Sequence, residues 1–209
     1  MKAVEYRGCE GLVFAEVKND DNETSDGKGY VTGNVMELAP VAEISKSVEV
    51  ERESKYYDNI QAMVVTSEGE DTVKLTVAIP PDKVLAAVNG RVYDETLKMY
   101  IECPIVTKYY AVGYKIKDSD GIERYVWRHK GYFLPPEETS ATEDDSTDGN
   151  NMEIEFHGVY TEHIFTNGGG SGKAARIKSF AMRTDSGKDL SSFFTEVSTP
   201  DTSFTDKTA

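Results

Sequence analysis

Apolar and polar positions alternate most clearly along residues 107–133, TKYYAVGYKIKDSDGIERYVWRHKGYF. Tyr110, Val112, Tyr114 and Ile116 interleave with Ala111, Gly113, Lys115 and Lys117. A period of two predicts a strand with one buried and one solvated face. Asp118-Ser119-Asp120-Gly121 supplies a turn, and the stretch from Tyr125 through Trp127 to Phe133 predicts the return strand of a long β-hairpin. The same period recurs in 72–79, where Val73, Leu75, Val77 and Ile79 alternate with Thr72, Lys74 and Thr76. It recurs again in 152–165. Residues 41–59 predict a long strand or arm, with Ile44, Val48 and Val50 on one face, Glu49, Glu51 and Glu53 on the other, and a polar tip at 51–57. A strand at 60–67 is expected to be separated from 72–79 by a turn at Glu68-Gly69-Glu70-Asp71. Residues 3–17 predict one or two short strands around a Gly8–Gly11 turn, 29–38 a strand stopping at Pro40, and 173–183 a further strand.

One helix is predicted, over residues 80–90 (PPDKVLAAVNG). Proline fits its first turn, Asp82 complements the helix dipole, Val84, Leu85 and Val88 share a face, and Gly90 ends it. Two turns do not hold in water alone, so this helix must pack on the sheet. Residues 18–28, 134–151 and 167–172 read as polar loops. SSFFTEV at 191–197 reads as an aromatic anchor, and 198–209 as a flexible C-terminal tail beyond a 1–197 domain. Many strands and one short helix predict a mainly β fold: an antiparallel β-sandwich or barrel with one short flanking α-helix.

Composition narrows the function. The formal net charge is −14, from 37 acidic and 23 basic residues. Binding nucleic acid through phosphate neutralisation needs the opposite balance. No apolar run is long enough to span a membrane, so no membrane segment is expected, and Met1-Lys2 leads into patterned polar sequence without a secretory signal. Cys9 and Cys103 match no disulfide framework and no metal spacing, and two unpaired thiols are expected. Gly168–Lys173 has the look of a phosphate loop, but Asn167 and Ala174 stand where that motif needs glycine and a hydroxyl. His157 and His163 are expected to share the face of one strand without meeting, and His129, beside Arg128 and Lys130, to be a solvated strand residue. The acid pairs Glu137-Glu138 and Asp144-Asp145 fall in loops. No nucleophile elbow or cysteine-protease signature is present. The chain reads as a non-enzyme, without catalytic residues, metal or cofactor.

The order of several short elements resembles the major tail protein, or tail tube protein, of long non-contractile-tailed bacteriophages and prophages. Phe14-Ala15 closes the first strand, Tyr56-Tyr57-Asp58-Asn59 resembles an aromatic-Ala-Asp-Asn element with Tyr57 in the alanine's place, and Pro80–Gly90 matches a short helix ending in glycine. Tyr125-Val126-Trp127-Arg128-His129-Lys130-Gly131-Tyr132-Phe133 resembles a strand Tyr-Val-Trp-x-x-Lys-Gly-x-Phe, and Ser191–Val197 fits an aromatic C-terminal segment. Together these span essentially all of 1–197.

That resemblance implies a structural virion protein, built in the bacterial host cytoplasm. Six subunits would form a ring, and rings would stack into a tube through which double-stranded DNA leaves without specific binding. A tape-measure protein and tail chaperones would be the other partners. If six copies each lend four strands, a barrel of 24 at about 4.8 Å spacing and about 40° tilt has a backbone diameter of about 48 Å, leaving a bore of about 38 Å. Glu49, Glu51 and Glu53 are expected in the electronegative lumen lining, and Tyr56, Tyr57, Asp58 and Asn59 in a ring-stacking loop. Tyr125, Trp127, Lys130, Gly131 and Phe133 are expected as the core motif. The alternative from the residues alone is a monomeric β-sandwich binding module of adhesin or carbohydrate-binding type, using Tyr109, Tyr110, Tyr125 and Trp127.

Overall fold

The computed structural model describes residues 5–23, 28–57, 60–137 and 151–207, the side chains of 56, 57 and 60–62 excepted. Its strands are β1 (Tyr6–Asp20), β2 (Tyr30–Thr32), β3 (Met36–Glu37), β4 (Val41–Tyr57), β5 (Ile60–Val77), β6 (Val92–Asp94), β7 (Met99–Ile101), β8 (Tyr110–Asp118), β9 (Glu123–Leu134), β10 (Met152–Gly158) and β11 (Ser179–Arg183). One α-helix, α1 (Asp82–Val88), follows β5. The fold is thus mainly β and antiparallel, with one short helix, as the alternation predicts.

The main sheet runs in the order β2-β1-β8-β9-β10-β5-β4, with β3 on β1 and β11 on β9. Strand β9 turns the corner of the molecule. Its first half pairs with β8 and β11, and its last residues, Gly131–Leu134, pair with β10. The corner needs Gly131, where a Cβ would collide with the Phe156 ring and the His157 carbonyl. The halves on either side of this corner enclose the main core. Leu12, Phe14, Val112 and Val126 come from one half, and Val73, Leu75, Val77, Ile154 and Phe156 from the other. Val88 of α1 joins them.

Several sequence expectations need correction. The hairpin of β8 and β9 forms as predicted, but Tyr110–Tyr114 is buried on both faces. The second face is covered by the C-terminal segment, whose Leu190, Phe193 and Val197 pack on Ala15, Ala111 and Trp127. Residues 198–207 are not loose. Ser198 is buried, Phe204 stacks on Phe193, and Lys207 N–H donates to the Gly187 carbonyl. Glu68–Asp71 is not a turn but the middle of β5. Gly8–Gly11 likewise lies within β1, which absorbs it through two register shifts. Residues 29–38 divide into β2 and β3, and 152–165 is a strand only to Gly158.

Candidate assembly surfaces

Strands β4 and β5 form a hairpin that outgrows the sheet. Val41–Val48 and Asp71–Val77 pair within the body, where β10 continues the sheet beyond β5. From Val50↔Glu68 to Tyr57↔Ile60 the two strands pair only with each other. Every described side chain of 47–55 and 63–69 is exposed. Strand β4 also ends the strand order, so no named strand pairs with its outer edge among the described residues. An edge this long offers a row of unpaired backbone groups to another chain.

Directly opposed residues of an antiparallel pair share a face. Ile44 lies opposite Leu75, Val48 opposite Asp71, Val50 opposite Glu68 and Ser54 opposite Val64. Val50 and Val64 therefore continue the side of the hairpin that carries the core, beyond the reach of the chain's own cover. Glu51 and Glu53 lie opposite Ser67 and Val65, on the reverse side. Glu49 packs over Gly69 on that side too. The three glutamates expected to act together therefore share one exposed face. Register extends it across the body: Glu43 aligns with Thr76 and Glu153, and Ser45 with Lys74 and Glu155. Glu70 joins them through Tyr132 and His157. Lys74 bridges to Glu153 at 3.0 Å and Glu155 at 2.7 Å, and among the described residues most of the other carboxylates there have no ion-paired lysine or arginine. One face of this sheet is thus strongly electronegative.

Between Val48↔Asp71 and Val50↔Glu68, β5 spends one more residue than β4. This bulge at Gly69-Glu70 keeps Glu68 and Asp71 on the same side, where a buried ionic cluster anchors the arm. The Asp71 carboxylate, with its side chain only 2% exposed, meets Arg128 and Lys46 at 2.8 Å and Lys178 at 3.1 Å. Lys178 also reaches Glu68 at 2.9 Å and the Gly69 carbonyl at 2.5 Å, and lies over the Tyr160 ring. The Arg128 guanidinium donates to the Tyr114 hydroxyl. Burial pushes the Asp71 carboxyl up, but hydrogen bonds from Lys46 and Lys178 outweigh it, and the group sits below its ordinary value. Burial alone would lower Lys178, yet Glu68 and Asp71 raise it. Sequence reading missed this cluster, because its members come from β4, β5, β9 and the segment before β11. Its local traces were Arg128, which opens the basic run Arg128-His129-Lys130 of β9, and Lys178, beside Ile177.

The motif residues of β9 fall into distinct roles. Trp127 is fully buried and donates from Nε1 to the Phe193 carbonyl at 2.9 Å. Tyr125 stacks on Phe194. Phe133 packs edge-on to Phe156 and Phe14. Lys130 binds Asp20 at 2.7 Å and Glu162 at 3.2 Å, and these contacts raise it despite the lowering effect of burial. Asp20 in turn accepts from the Glu162 and His163 N–H groups, so Lys130 ties β1 to the loop after β10. Of the four aromatics proposed for a ligand platform, Tyr110 and Trp127 lie in the core, and Tyr125 is covered by Phe194.

His129 is not solvated. It is fully buried among Tyr30 and Phe165, its Nε2 lies 3.1 Å from the Ser198 carbonyl, and its Nδ1 has no partner. Burial drives its pKa down to about 4. His163 leaves the strand and meets the Asp21 carbonyl, whereas His157 stacks on Tyr132. Tyr56 and Tyr57 end β4, and their side chains, with Asp58 and Asn59, lie outside the described residues. Both cysteines are free. Among the described residues no cluster of side chains is arranged to hold a metal, and no helix is long and apolar enough to cross a membrane. No family model matches the chain, and no curated protein sequence is significantly similar to it.

Proposed function

We propose that the chain is a self-assembling structural subunit of the phage tail tube type. In this reading copies form rings, six-membered by the resemblance above, which stack into a hollow conduit for DNA in the virion. The observation that carries it is the β4–β5 arm. An 18-residue strand leaves the body, carries apolar residues past the end of the core, and presents an unpaired edge. A monomer gains nothing from exposing such a surface, while a neighbouring copy removes it from water. The electronegative face of β4, β5 and β10 supports a lumen role. Carboxylates there would repel phosphate, so that a duplex slides instead of sticking. Glu49, Glu51 and Glu53 are the outermost members of this lining.

Negative-stain electron microscopy of the purified protein at high concentration tests the reading. Hollow fibres or stacked rings are expected. A particle that stays monomeric across concentration, salt and pH would overturn it. Deleting 51–58 is expected to leave a folded monomer and abolish tubes.

A further inference from the structure

The C-terminal segment 188–207 covers the second face of β1, β8 and β9 without joining their sheet. It begins after the short turn Thr184–Ser186 at Gly187, whose φ of 75° lies in the left-handed region and marks a natural hinge. Its backbone bonds close largely on the segment itself: Asp189 N–H donates to Thr205, Phe193 to Leu190, Thr195 to Ser192 and Thr202 to Thr199. Among the described residues three polar anchors tie it to the body. Trp127 Nε1 donates to the Phe193 carbonyl, the Asp201 carboxylate accepts from the Thr166 and Asn167 N–H groups at 2.8 Å, and His129 Nε2 lies 3.1 Å from the Ser198 carbonyl.

The His129 anchor can titrate. A carbonyl only accepts, so Nε2 carries the ring proton and Nδ1 is the bare nitrogen of a neutral imidazole. Nδ1 is buried without a partner. A second proton would place a charge and a new donor where nothing receives either. The charged and titratable groups around the ring are already engaged. Asp20 of β1, whose charge favours the imidazolium, is bound by Lys130 and by the Glu162 and His163 N–H groups. Arg128, beside His129 on β9, is committed to Asp71. The Tyr30 hydroxyl of β2 donates to the His129 carbonyl, and the His163 ring meets the Asp21 carbonyl. Lys178, whose carbonyl accepts the His129 N–H, turns its ammonium to Glu68 and Asp71. Asp201 of the segment is held by its two N–H donors. A charged His129 therefore needs water, and the covering segment must lift to admit it.

We infer that His129 is a proton-operated latch: charging it drives residues 188–207 to swing about Gly187 and uncover Ala15, Ala111 and Trp127, while the sheet stays folded. This goes beyond the tube reading and holds for a single copy. Under the segment the ring titrates near 4, whereas in water it titrates near 6.5. The open form thus takes up a proton that the closed form refuses, and opening is favoured as pH falls through that window. From about pH 7.5 to about pH 5 the open population should rise about 30-fold.

Hydrogen exchange of the dilute full chain, read by mass spectrometry and corrected for intrinsic chemistry, tests the latch. Between about pH 7.5 and about pH 5, amides of 188–207 are expected to lose protection about 30-fold, while staying less protected than the β5–β10 ladder at both values. Dilute urea should hardly change their exchange, because a local opening exposes far less surface than unfolding does. His129→Gln keeps a donor for Ser198 but cannot gain a proton, so its loss of protection should stay below about threefold. The wild-type pH profile carries a second signature that needs no variant: uptake of one proton, hence a slope of at most about tenfold per pH unit that levels off near the closed-form value. Unchanged protection, a loss that persists in folded His129→Gln, a slope steeper than one proton, or segment amides that exchange in step with the β5–β10 ladder would overturn the latch and leave the tube reading standing.

Discussion

The two halves of the β4–β5 hairpin share strands, ladder and amino-acid types, yet behave as different materials. In the proximal half Val73, Leu75 and Val77 are fully buried. In the distal half Val64 and Val65 are half exposed. What separates them is not propensity but what lies across from each face. The proximal strand has β10 beside it and the core beneath it, while the distal strand has neither. The dividing line is Asp71, the last core-facing residue, which is charged and locked to three cations. A valine run is thus core on one side of that lock and exposed surface on the other.

The largest way to break this contrast is at the lock. Asp71→Asn leaves Arg128 buried without its counter-charge and Lys178 with Glu68 alone, and a loss of about 3–5 kcal/mol is expected in urea unfolding. Acid should attack the body at a different place. Folded His129 titrates near 4, whereas the unfolded side chain titrates near 6.5. Between those values the unfolded chain holds a proton that the folded chain refuses. Stability should therefore fall by about 3 kcal/mol as pH drops from about 6.5 to about 4, and His129→Gln should flatten that slope. Asp71, held below its ordinary value, surrenders its contribution only at still lower pH.

Smaller effects sharpen the comparison. Trp127→Phe removes the bond to Phe193 O and part of the packing under the C-terminal segment. A cost of about 1–2 kcal/mol is expected, with earlier proteolytic cleavage in 188–207. Val65→Thr in the distal arm should change monomer stability by less than about 0.5 kcal/mol, because that side chain is already half exposed. A destabilisation there comparable to that of Val73→Thr would mean that the arm folds back on its own body in solution.

Much of the framework was legible because burial follows period two wherever one strand face meets the core. Residues 72–77 read correctly on that basis, while 110–118, 123–134 and helix α1 were placed correctly as elements although 110–114 and 126–131 are buried without alternation. Where reading failed, long-range partners had overridden local chemistry. Glu68-Gly69-Glu70-Asp71 has the composition of a turn, but Lys178, Arg128 and Tyr132 hold it extended. His129 sits between two cations in sequence, but the chain brings Tyr30, Phe165 and Ser198 around it. Residues 198–207 show no periodicity because they are held by ring stacking and isolated hydrogen bonds, not by a ladder. For the candidate surfaces, the alternation in 41–57 correctly put the glutamates opposite Ile44. It was silent on Glu153, Glu155 and Glu70, which only strand pairing brings to the same side.

The extra residue at Gly69-Glu70 has a consequence for geometry. A bulge bends its strand and tightens the local twist, so it sets the heading on which the arm leaves the body. Removing Gly69 would restore an even count between Asp71 and Glu68 and leave each distal side chain on its present side, while straightening the path. If copies join as proposed, such a deletion should leave assembly possible but alter the rise and rotation from one layer to the next. The pitch of the whole filament would then be written in a single residue of chain length.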